Sequence, residues 1–348
     1  MSEKEVLKGL EKISQAVGDS PDMVQGGGGN TSAKIDDQVL AIKASGFKLT
    51  QITEDDGFVK VNYRNLLDYY DNVDTSENKD FEEESTEVVM NNVVSEEKLK
   101  PSIETGFHSL LKKYVIHTHS VYANIICCSE NGEELMEDIF SDENYKPLWV
   151  RYTHPGFDLT LEMKKRVDQY VYQEGGIPEV IFLENHGLIV NKDDAEDCID
   201  FNTEVNNKIK TFFNITENYP ETGIEKLDDG RYKTKTEYLI DFFKDSNISL
   251  DYFDNILYPD QLVYLEDSIS IDENESKTSI NTDTGEVNFN ADYNEALTID
   301  ETLTAYVYIM NKIKENNIKL QTMTQKYIDL IKNMQGEKHR KKVMKEMK

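Results

Sequence analysis

The sequence predicts a layered α/β protein, and three observations lead there. Strand-like and helix-like segments alternate from residue 1 to residue 216. No apolar run approaches the length that crosses a bilayer. The 348 residues, 38% of them hydrophobic, can bury one large core or two modest ones.

Each element has its own reason. In MSEKEVLKGLEKISQAVG, Ser2 followed by Glu5 is a capping box, and Val6, Leu10, Ile13 and Val17 make one helical stripe. The segment is charged and amphipathic, so it does not read as a signal peptide. QGGGGNTSAKI then opens from glycines into an alternating segment. QVLAIKASG, residues 38–46, reads as a strand ending in a Ser-Gly turn, and GFVKVNYRNLLDYY as a strand running into a helix. Residues 72–100 are polar and acidic, a surface excursion. Glu104 to Lys113 suits a helix, followed by a short strand, VIHTHS, and an apolar helix. VIFLENHGLIV, residues 180–190, reads as a buried strand interrupted at Asn-His-Gly and resumed, and residues 195–216 as a helix.

Beyond this point, residues 256–267, ILYPDQLVYLED, read as a strand with a Pro-Asp start. A hairpin or loose loop with a turn near Asp283-Thr284-Gly285 comes next. TIDETLTAYVYIMNKIKENN places Leu303, Tyr306, Val307, Met310 and Ile313 on one helical face, within a helical stretch predicted over 299–334. The division expected is a core over 1–225 and a C-terminal extension over 226–348 packed on it. The basic KHRKKVMKEMK is expected to pair with neighbouring carboxylates.

Net charge is −29, from 38 basic and 67 acidic residues, which repels a phosphate backbone and excludes a nucleic-acid partner. Three cysteines, Cys127, Cys128 and Cys198, form neither a disulfide framework nor a CxxC pattern, and a cytoplasmic protein without a membrane partner is expected.

The candidate chemistry lies in four places. GGGGNTS lacks the lysine of a P-loop, and its order of helix before and strand after reverses the dinucleotide fingerprint. Its free backbone N–H groups still suit an oxyanion or phosphate. His117 and His119, at i and i+2, project from one face of a strand and lie close enough to share an ion. A third ligand would come from His186, where a glycine interrupts the apolar run, with His154 second in rank. Three histidines with an open fourth position are the pattern of catalytic zinc, although each histidine singly reads first as a satisfied core or surface residue. Glu104, at a helix start, stays ionised there and suits a ligand or a general base.

GGGGNTS, IKASG, PSIETGFH, VIHTHS and ENHGLIV, in this order over residues 1–216, resemble the class II aldolase/adducin-head family. Within it, they are most similar to the aldolase portion of bacterial bifunctional rhamnulose-1-phosphate aldolase/alcohol dehydrogenases. YPDQLVYLED and the C-terminal helices resemble the later part of that portion. The dehydrogenase part is expected to be absent, since the sequence stops at Lys348. The resemblance implies a central, mostly antiparallel sheet flanked by helices, and a homo-oligomer, a tetramer for preference, with sites at subunit interfaces. It implies His117, His119 and His186 as ligands of Zn2+, or of Mn2+, Co2+ or Fe2+, and Glu104 as catalytic acid/base. Gly28, Gly29, Asn30, Ser45, Gly46 and Ser102 correspond to a substrate phosphate pocket. Ile103 departs from the pattern, standing where some phosphate-binding members have a second serine.

The activity implied belongs to carbohydrate metabolism. A ketose 1-phosphate, rhamnulose 1-phosphate or another deoxyketose phosphate, is cleaved to dihydroxyacetone phosphate and an aldehyde. The metal stabilises the enediolate charge as a Lewis acid, and Glu104 moves the proton. A tyrosine or other acid from a neighbouring subunit often serves the aldehyde half. The alternatives are a sugar-phosphate epimerase or decarboxylase using the same site, and an adducin-like binding module without metal ligands.

Overall fold

Ser2 starts the first helix as its sequence requires: the Ser2 hydroxyl accepts from Glu5 N–H at 3.4 Å, and the Glu5 carboxylate accepts from Ser2 N–H at 2.6 Å. The computed structural model describes residues 1–96, 99–245, 247–265, 268–273 and 276–333. Helices are α1 Glu3–Gly18, α2 Tyr63–Asn72, α3 Phe81–Asn91, α4 Thr105–Leu110, α5 Val121–Cys127, α6 Gly132–Ile139, α7 Phe157–Glu174, α8 Ala195–Phe212, α9 Glu237–Asp245, α10 Pro259–Leu265, α11 Tyr293–Glu315 and α12 Gln325–Asn333. Strands are β1 Asn30–Lys34, β2 Val39–Lys43, β3 Phe58–Asn62, β4 Tyr114–Thr118, β5 Leu148–Val150, β6 Val180–Leu183, β7 Gly187–Lys192, β8 Ile224–Lys226, β9 Tyr232–Thr234, β10 Ile269–Ile271, β11 Thr278–Ile280 and β12 Val287–Phe289.

The first seven strands form one sheet in the order β3-β2-β1-β4-β7-β6-β5, antiparallel throughout except for the β5–β6 pair. Strand alternation sorts the core onto its two faces. On one side Ile116, Leu188, Val190 and Phe182 join α1, α5 and α8. On the other, Val115, Ile181 and Ile189 meet Phe107 of α4 and Leu159, Met163 and Val167 of α7. The result is the expected helix–sheet–helix layering with a mostly antiparallel centre. A second sheet, β10-β11-β12-β9-β8, lies in the C-terminal region. Its Ile280, Val287 and Phe289 join the same apolar cluster as α1, through α11 and Leu239 and Phe243 of α9.

Four expectations are corrected. The strand expected over 256–267 is replaced by a helix, Pro259–Leu265, whose seven residues are all buried; residues 266 and 267 lie outside the described residues. A helix enclosed on every side has no polar face, so its sequence shows no 3.6-residue periodicity. Pro259 suits its first position, where no N–H is needed. The interrupted strand at 180–190 is a hairpin of β6 and β7, because Asn185 adopts φ 49 and reverses the chain. The acidic excursion contains α3, whose N-terminus is capped by the Asp80 side chain accepting from Glu83 N–H. The helical stretch expected over 299–334 is two helices: α11 begins earlier, at Tyr293, where Asp292 caps it, and ends at Glu315, and α12 starts at Gln325. Residue 334 and KHRKKVMKEMK lie outside the described residues. Among the described residues, no helix is long and apolar enough to cross a membrane.

Candidate metal centre

β4 carries His117 near its end and releases His119 just beyond it, before Ser120 caps α5. β7 pairs with β4, so the hairpin turn sets His186 beside both. The three ring centroids are 5.1, 4.9 and 5.2 Å apart, and three ligand-capable atoms lie within 4.8 Å of one another. All three side chains are buried.

The partners of each ring decide which nitrogen faces inward. His117 Nδ1 lies 3.0 Å from the Leu188 carbonyl, so it carries the proton and donates. His117 Nε2 is then a lone-pair donor atom, buried and without a hydrogen-bond partner. Burial drives the His117 imidazolium down to about 3, against the opposing pull of Glu104, so the ring is neutral. His119 Nδ1 donates to the Asp260 carboxylate, leaving Nε2 for the centre.

Glu104 occupies the N-cap position of α4 without capping it; its carboxylate turns to the histidines instead. One oxygen is 3.2 Å from His186 Nε2 and the other 3.5 Å from His117 Nε2. Burial alone would raise its pKa, but the imidazoles of His117 and His186 and the Asn30 amide outweigh it, holding the carboxyl well below its usual range. His117 Nε2, without a hydrogen-bond partner, and a Glu104 oxygen 3.5 Å from it offer two donor atoms that one cation could share. Three imidazoles and one carboxylate therefore fit a divalent metal, and this donor set suits zinc-like ions.

The sequence-nominated residues around this group fall into two sets. Asn30 donates to Glu104 at 2.6 Å and lies 3.3 Å from Ser102 Oγ. Because its amide nitrogen is so used, its carbonyl accepts from His108 Nε2, whose Nδ1 accepts from Ser32 Oγ at 2.7 Å. Ser45 and Gly46 sit in a turn beside the 100–102 segment: Ser45 N–H donates to Lys100 C=O at 2.8 Å and Ala44 bridges Pro101. Gly29 has φ 64, and a Cβ there would come within 2.6 Å of the His117 carbonyl. A Cβ on Gly28 would collide with the Asp260 carboxylate and reach His119 Nδ1 at 2.9 Å. The glycine loop thus lies against the histidines as well as beside Asn30. His154 is not in the cluster.

Four residues were missed by sequence reasoning. His108 follows Glu104 by four positions, a helical spacing that could have nominated it. Lys43, buried in β2, donates to Gly27 C=O at 3.3 Å and so brings its amine to the glycine loop. Asp260 had no local signal, because its segment read as a strand. Glu301 of α11 accepts from Gly26 N–H at 2.8 Å across 275 positions, a pairing no local pattern reveals.

Fold and site together define a mostly antiparallel α/β protein with a buried centre of three histidines and a carboxylate at the end of its middle strands. The family described as "Class II Aldolase and Adducin N-terminal domain" matches residues 10–212, and the chain belongs to it. A curated relative from Bacillus subtilis (strain 168), "Uncharacterized oxidoreductase YuxG", is 28% identical over 205 residues, covering 55% of this chain and 27% of that protein. The chain thus spans about a quarter of that relative's length. Among solved structures, the N-terminal class II aldolase domain of a conserved protein from Thermoplasma acidophilum is 25% identical with a TM-score of 0.49, covering 59% of this chain and 92% of that one. An L-fuculose 1-phosphate aldolase is 20% identical with a TM-score of 0.42, over 61% of this chain and 88% of the other.

Proposed function

We propose that this protein is a divalent-metal-dependent aldolase that cleaves a ketose 1-phosphate into dihydroxyacetone phosphate and an aldehyde. Rhamnulose 1-phosphate or another deoxyketose phosphate is the substrate class favoured. The observation that carries this reading is the convergence of His117, His119 and His186 with Glu104 in one buried group. His117 and His119 would hold the cation through Nε2, and His186 through a ring nitrogen, with zinc the first choice. When bound, the metal supplies Lewis-acid stabilisation of negative charge developing on substrate oxygens.

The remaining work falls to the chain itself. Glu104, ionised and oriented by Asn30, accepts or returns a proton at a carboxylate oxygen, a role worth on the order of 10²–10⁴ in rate. Asn30 is itself held by His108, so the Glu104 carboxylate keeps one orientation. The glycine loop, Ser45, Gly46 and Ser102 offer backbone N–H groups and hydroxyls to the substrate phosphate. Lys43 adds a buried cation beside that loop, which favours an anionic ligand despite the acidic surface.

The test has two measurements. Purified protein is assayed for stoichiometric divalent metal, then supplied with ketose 1-phosphates while dihydroxyacetone phosphate release is followed. Metal near one per chain together with metal-dependent release is expected. Protein that binds no divalent metal at micromolar concentration removes the proposal.

A further inference from the structure

Every supporting contact named so far for Glu104 and His117 comes from within residues 10–212, the part matched by the family. His119 is different. Its outer nitrogen, Nδ1, meets a carboxylate supplied by Asp260, 141 positions later in the chain. Asp260 sits in the first turn of α10, is fully buried, and lies over the glycine loop so closely that Gly28 has no room for a Cβ. The same C-terminal region grips the neighbouring pieces. The Asn185 amide, beside His186, donates to the Leu257 and Gln321 carbonyls at 2.8 and 2.9 Å, and Glu301 holds Gly26.

The geometry points to Asp260 as a positioning residue of the metal centre: by accepting from His119 Nδ1 it selects the tautomer whose Nε2 faces inward, fixes the ring and raises its donor strength. The inference rests on the metal-centre reading above. Its physical content is general. An imidazole has two interchangeable proton positions, and the group bonded to one nitrogen decides which lone pair remains free. A carboxylate acceptor also polarises the ring more strongly than a peptide carbonyl does. Loss of such an outer partner typically lowers metal affinity about 10–100-fold. The region beyond residue 212 is then a working part of the site rather than an appendage.

Asp260→Asn and Asp260→Ala are compared with wild type by Zn2+ competition against a chromogenic chelator, and by the visible ligand-field spectrum with Co2+ as probe. Asp300→Asn serves as the matched control. Asp300 is also a buried carboxylate of this region, but it accepts from Thr234, Thr236 and Gly223 N–H, away from the histidines. Circular dichroism and thermal melting confirm folding of each variant.

Expected is a roughly 10-fold loss of Zn2+ affinity in the Asn variant, which keeps an acceptor without the charge, and up to about 100-fold in the Ala variant. The Co2+ spectrum changes in both, while Asp300→Asn loses stability only. Should the Asp260→Ala variant fail to fold, the Asn variant alone decides. Wild type that binds metal alongside folded Asp260 variants of unchanged affinity and unchanged spectrum overturns this inference and leaves the metal-centre reading standing. Wild type that binds no metal takes down both.

Discussion

His117 and His119 sit two residues apart yet are held in two different ways. The ring of His117 is steered by the peptide carbonyl of Leu188 on the adjoining strand, a partner delivered by sheet pairing itself. The ring of His119 is steered by a side-chain carboxylate from α10, delivered only when the C-terminal region packs onto the sheet. The first arrangement is as stable as the β4–β7 ladder and hard to alter by substitution, because a backbone carbonyl survives any side-chain change. The second depends on one buried carboxylate and on a glycine that leaves it room. Neighbouring histidines can therefore differ in how easily mutation reaches them.

The comparison can be broken or sharpened in steps. The largest effect is expected from His117→Ala, which removes an inner donor: Zn2+ affinity should fall by more than the roughly 100-fold that a lost outer partner costs, and turnover with it. Chelator competition and the aldol-cleavage assay measure the two. Glu104→Gln comes next. It should keep the metal while lowering kcat by roughly 10²–10⁴, and unchanged cleavage would remove Glu104 from its role.

Gly28→Ala probes the distant support directly, since the added Cβ meets both Asp260 and His119. Overpacking of this kind costs about 1–3 kcal/mol, and here it should also weaken Zn2+ binding, whereas a lower melting temperature with full affinity would show that the Asp260–His119 contact tolerates displacement.

The smallest effect concerns Glu82, on the acidic helix α3, whose carboxylate accepts from Phe157 N–H at 2.8 Å, away from the histidines. Burial pushes its carboxyl up to about 7 from an ordinary 4.5. The folded state therefore binds the proton more tightly, so its stabilising contribution is complete below pH 4.5 and is lost as pH rises through about 7. Glu82→Gln should flatten that decline in urea titrations between these pH values without altering metal affinity. A steeper decline would reverse the assignment.

Much of the centre was legible in the sequence because its histidines lie on or directly beside two paired strands. A spacing of two at the end of a strand places His117 and His119 together, and a glycine after His186 marks a turn. The ordered motifs foretold the family and the helix-flanked sheet. The capping box at Ser2 and the stripe of α1 were equally readable, since both are local.

What could not be read was non-local. α10 is enclosed on all sides, so the pattern that betrays an amphipathic helix is missing, and its apolar residues imitate a strand. Asp260 was hidden with it. Lys43 looked like one more strand lysine, because only the fold shows that its position is buried against the glycine loop. The reversal at Asn185 was also obscured, as a left-handed asparagine between two apolar runs reads as an interruption.

The spans bridged by these contacts bear on the order in which the protein matures. A nascent chain emerging from the ribosome has all three imidazoles well before residue 260, and the carbonyl of Gln321 that clasps the hairpin turn follows later still. Before Asp260 is translated, the β4–β7 ladder can steer His117 while His119 lacks its carboxylate partner. On the metal-centre proposal, high-affinity loading waits for Asp260, and a ribosome-stalled intermediate ending near residue 230 should exchange zinc faster than one long enough to deliver α10.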